Sequence, residues 1–61
     1  MNTFTALVLQ NNEGKKITIL VRCWASTRDG IIIKNLDGSH LDISYNDYTV
    51  YDAQEVVVGG F

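Results

Sequence analysis

Between residues 17 and 25 an apolar side chain stands at every second position. Ile17, Ile19, Val21, Cys23 and Ala25 alternate with Thr18, Leu20, Arg22, Trp24 and Ser26. Successive side chains leave opposite faces of a pleated strand, so a period of two marks a β-strand with one face turned to a core. The branched residues Ile17, Thr18, Ile19 and Val21 fit a pleated, half-buried surface and support the same assignment. Residues 3–10 are also rich in strand formers and end at Asn11, Asn12, Glu13 and Gly14, a cluster of turn residues. Two burial choices remain open for this first strand: Phe4, Ala6 and Val8 inside, or Leu7 and Leu9 inside if the loop holds one residue more.

Parity tests the turn that follows. Thr27-Arg28-Asp29-Gly30-Ile31 suits a three-residue hairpin loop with Gly30 in the left-handed conformation. That register pairs 27 with 31, 25 with 33 and 23 with 35, and places Ile31 and Ile33 on the face of Cys23 and Ala25. A two-residue Asp-Gly turn would bring Lys34 opposite Ala25 on the apolar face. On the other face, the three-residue loop sets Trp24 beside Lys34 and Arg22 beside Leu36.

A second turn falls at Asp37-Gly38-Ser39. Beyond it Leu41, Ile43 and Tyr45 alternate with Asp42, Ser44 and Asn46, and parity requires residue 33 to face 41 or 43. Asn46 and Asp47 punctuate the chain. Thr49 and Asp52 have the spacing of a helix start, which predicts a single helical turn over residues 51–55. A last strand over residues 55–58 is then closed by Gly59 and Gly60. The expectation is an all-β single domain over residues 1–61: a five-stranded meander, partly closed into a barrel, with one short helical turn before the last strand. This layout resembles an SH3-like barrel, a likeness of architecture that implies no function.

Size limits the chemistry. A chain of 61 residues buries only roughly 60% of the surface its unfolded form exposes, which leaves little room for a deep, water-excluding reaction pocket. Cys23 and His40 invite a nucleophile and base, but Cys23 falls in the apolar stripe and reads as a small buried hydrophobe, whereas His40 follows a turn. One Cys and one His do not make a zinc site. Asp37, Asp42, Asp47 and Asp52 recur at an odd spacing, which sends neighbours to opposite faces, and no glycine-rich phosphate loop is present. The seven acids read as a solvated surface. No catalytic, cofactor or metal site is expected.

Seven acidic against five basic side chains give a formal charge of -2, which argues against a general nucleic-acid coat and against an electrostatic membrane anchor. The apolar runs are far short of the ~20 residues that span a bilayer, and the N-terminus does not resemble a signal peptide. A single cysteine excludes an internal disulfide and points to a reducing, cytoplasmic setting.

The aromatic residues carry the remaining signal. Trp24, on the polar-facing side, with Arg22, Lys34 and Tyr48, makes a candidate contact patch, while Tyr45 and Tyr51 suit core packing. Ile31-Ile32-Ile33 and Val56-Val57-Val58 put apolar side chains on both faces of their strands. So small a chain has little with which to cover a second face. The sequence therefore predicts a non-enzymatic protein-protein contact module, either a homo-oligomer or a regulator, inhibitor or adaptor docking on a larger protein. Binding of single-stranded nucleic acid by Trp24, Arg22 and Lys34 is the alternative.

Overall fold

A computed structural model describes residues 2–58, with side chains over residues 3–57. The architecture is all-β: β1 (Asn2–Asn11), β2 (Lys16–Val21), β3 (Cys23–Ser26), β4 (Gly30–Lys34), β5 (His40–Ser44) and β6 (Tyr48–Val58). They form two antiparallel three-stranded sheets, ordered β2-β1-β6 and β3-β4-β5. No helix among the described residues is long and apolar enough to cross a membrane. The expected closing pair, Gly59 and Gly60, lies outside the described residues.

Two loops follow one design. In the first, Asn11 N–H donates to the Lys15 carbonyl at 2.9 Å and Gly14 N–H to the Asn11 carbonyl at 3.1 Å, with Gly14 at φ 83°. In the second, Asn35 and Ser39 take the places of Asn11 and Lys15, and Gly38 stands at φ 91°. Both are Asn-x-x-Gly turns in which glycine adopts the left-handed conformation. The first loop brings Leu9 opposite Ile17, Leu7 opposite Ile19 and Thr5 opposite Val21. It thereby settles the open choice in β1, because Leu7 and Leu9 are buried with Val21, Ile31 and Ile33.

Several expectations need correction. The apolar alternation does not continue past Val21. The chain bends at Arg22, whose N–H donates to the Lys34 carbonyl at 2.9 Å, and parity flips there: Trp24 packs on the core while Cys23 and Ala25 are exposed. The β3-β4 register follows the flip, with Trp24 opposite Ile33, Ala25 opposite Ile32 and Cys23 opposite Lys34. Trp24 thus faces Ile33 rather than Lys34 across the pair. The predicted three-residue loop is tightened: Thr27 N–H donates to the Gly30 carbonyl at 2.8 Å, leaving only Arg28 and Asp29 between them. Gly30 is not left-handed: among the described residues, positive φ falls at Gly14 and Gly38. Of the two partners expected for residue 33, the structure has 41.

The helical turn over residues 51–55 is absent. That segment lies within β6, which pairs with β1 over its whole length. Residues 52–55 there gain β1 partners, from Val8 to Thr5, and Thr49, Val50, Val56 and Val57 favour the extended form. The predicted start signal is spent locally, because the Asp52 carboxylate accepts from the Ala53 N–H at 2.9 Å. Tyr51 is the extra residue of a bulge, as Val8 faces Asp52 while Leu9 faces Val50. The count is accordingly six strands rather than five, and the barrel is not closed.

Candidate interaction surfaces

The four residues singled out in sequence do not form one patch. Arg22 is exposed at the bend, next to the backbone of Lys34. Trp24 and half-buried Lys34 share a shallow hollow of about 160 Å³ with Cys23 and His40, but the Trp24 ring is half-buried against the core. Tyr48 packs on the core from the start of β6 and borders a different cavity. Tyr45 also packs on the core, and its hydroxyl hydrogen-bonds the Ser26 hydroxyl. Tyr51, expected in the core, is exposed beneath the Lys16 ammonium, 3.9 Å from the ring centroid.

Cys23 is exposed rather than buried in the stripe. It stands in one cross-strand row with Lys34 and His40, since Cys23 faces Lys34 and Lys34 faces His40. Two strand spacings, about 9–10 Å, separate the backbones of Cys23 and His40, and no hydrogen bond joins the thiol to the imidazole among the described residues. No three metal-ligating side chains converge among the described residues. Asp37 works within its own turn, accepting from the Ser39 N–H at 2.9 Å and from the Ser39 hydroxyl at 2.6 Å. These hydrogen bonds hold its carboxyl below the ordinary value.

Two surfaces were not anticipated residue by residue. The first is the outer edge of β6. β6 has eleven residues and, among the described residues, hydrogen-bonds only β1. β2 covers β1 from Thr5 to Gln10 alone, so Thr3 and Phe4 meet Val57 and Val56 in a ladder of two strands. Val57 is 57% exposed and Val56 37%. Val56 shares its face with half-buried Phe4, Ala6 and Val8 and with exposed Leu20, whereas Val57 lies on the other face, opposite Thr3. The Val56-Val57-Val58 run was the sequence signal for this surface.

The second is an open groove of about 570 Å³ where the sheets fail to close. Leu9, Ile17 and Ile19 wall it from one sheet, Leu41 and Ile43 from the other, and Tyr48 lines one end. Glu13, Asp42 and Asp47 rim it. Asn12 ties the two sides together, its side-chain amide donating to the Asn46 carbonyl at 2.7 Å. Alternation in sequence could place Leu41 and Ile43 on an inner face, but not reveal that β5 stands apart from β2.

No family model matches the chain, and no curated protein or solved structure is significantly similar to it.

Proposed function

We propose that this chain is a non-enzymatic protein-contact module that associates with a second copy along the free edge of β6. The observation that carries the proposal is the end of the β1-β6 ladder, where Thr3 and Phe4 pair with Val57 and Val56 and, among the described residues, have no β2 partner on their other side. A two-stranded ribbon is marginal in water by itself, and a long apolar edge pairs readily with another strand. β6 contains no Pro, Lys or Arg to blunt its edge. Antiparallel pairing near Val56 and Val57 keeps the carboxylates of Asp52 and Glu55 apart between copies. A symmetric pairing of this kind uses the same patch on both chains and closes after two.

The chemistry-bearing side chains support a binding role rather than catalysis, because Cys23 and His40 are separated and the carboxylates lie on open surface. A free thiol on an exposed strand suits a reducing, cytoplasmic compartment. Regulation, inhibition or adaptation of a larger protein would use the same contact chemistry. Single-stranded nucleic acid is the rival ligand; the Trp24 ring packed on the core offers a poor stacking platform.

The test is isotope-filtered NMR on a sample mixed from labelled and unlabelled chains. Intermolecular contacts from the Val56 and Val57 methyls are expected, and their loss in a Val56→Lys, Val57→Lys variant. A concentrated sample with no such contacts refutes the proposal.

A further inference from the structure

We infer that the open groove between β2 and β5 takes an extended peptide segment of a partner protein in which apolar and basic residues alternate. This surface is separate from the β6 edge and does not rest on the self-association proposed above. Three features point to such an occupant.

The groove is bordered by two strands that are both sheet edges. β2 pairs only with β1 and β5 only with β4 among the described residues, so each keeps a row of backbone donors and acceptors for an added strand. The apolar walls come from both sheets, with Ile17 and Leu41 exposed at 38% and 49%. An extended segment also sends alternate side chains to opposite sides, so every second residue faces these walls. The five residues of β5 set the matching length, since a strand of that size spans about 17 Å.

Charge selects the other half of the alternation. Glu13, Asp42 and Asp47 are exposed on the rim, and no Lys or Arg lines the groove. The nearby Lys16 is turned to the opposite face of its sheet, over Tyr51. Three carboxylates on a groove lined by no Lys or Arg favour Lys or Arg on the solvent side of the bound segment and disfavour acids there. The groove volume lies in the range of ordinary ligand pockets, about 300–1,000 Å³.

The experiment compares two dye-labelled ten-residue peptides, one alternating Val with Lys and one alternating Val with Glu, by fluorescence anisotropy against the whole chain. The Val-Lys peptide is expected to bind, and raised salt to weaken it. A Glu13→Lys, Asp47→Lys variant, altered only at exposed sites, should lose about tenfold in affinity, as should Leu41→Lys on the apolar wall. The Val56→Lys, Val57→Lys variant should bind the peptide undiminished, which separates this inference from the β6 reading. Equal binding of both peptides, unchanged affinity in the rim variant, or no binding at millimolar peptide overturns the inference. Dissociation of an oligomer by the rim variant also overturns it, because a second copy would then be the occupant.

Discussion

Gly30 and Ile43 approach so closely across the β4-β5 pair that a Cβ on Gly30 would stand 2.1 Å from the Ile43 carbonyl oxygen. The obstacle is backbone, so no side-chain rotation relieves it. It arises where Gly30 faces Ser44 and the Tyr45 N–H reaches the Asp29 carbonyl at 3.0 Å. Gly30→Ala must push β5 from β4 or break that pairing. The expected loss is about 2–4 kcal/mol of stability, read as a fall in the urea midpoint. A midpoint unchanged from the parent would show that the strands do not lie this close.

Gly14 and Gly38 are required for a different reason. At φ 83° and 91° they occupy a conformation in which a Cβ crowds the following carbonyl. Space is not the issue at Gly38, which has nothing within 4 Å of an added Cβ. Gly38→Ala should cost about 1–2 kcal/mol, and Gly38→Asn less, since Asn tolerates the left-handed region. At Gly30 the order reverses, because Asn is larger than Ala and fits worse. Thermal unfolding of the four variants checks this crossover.

Asp37 makes one part of the stability depend on pH. Hydrogen bonds from the side chain and backbone of Ser39 lower its folded pKa below the ordinary 3.8. A depressed folded value means the unfolded chain takes up the proton first. The contribution is therefore complete above the ordinary value and is lost as pH falls through the lowered one. Ser39→Ala should move the Asp37 carboxyl titration, followed by NMR, back toward 3.8. An unshifted titration in that variant would remove the turn as the cause.

Local alternation carried much of the fold. It placed strands over most of β2, β4 and β5, identified the two glycine turns at Gly14 and Gly38, and narrowed the partner of residue 33 to 41 or 43. The failures share a cause. Arg22 is an unremarkable residue in sequence, yet the bend there reverses the parity of everything counted after it. Cys23 and Trp24 consequently exchanged faces. In β6, the pairing of residues 51–55 with β1 overrode a weak helix signal, because the β1 partner lies more than forty positions away in the chain. The groove was illegible for a similar reason: it depends on which edges stay unpaired, and alternation reports faces rather than neighbours.

Pairing of two copies along the β6 edge, as proposed above, makes the mass of the species in solution depend on concentration. Sedimentation velocity across a micromolar concentration series tests it most directly. A concentration-dependent shift from a 6.8 kDa species to a dimer of twice that mass is expected, abolished by Val56→Lys with Val57→Lys. A single species of monomer mass at every concentration would contradict it.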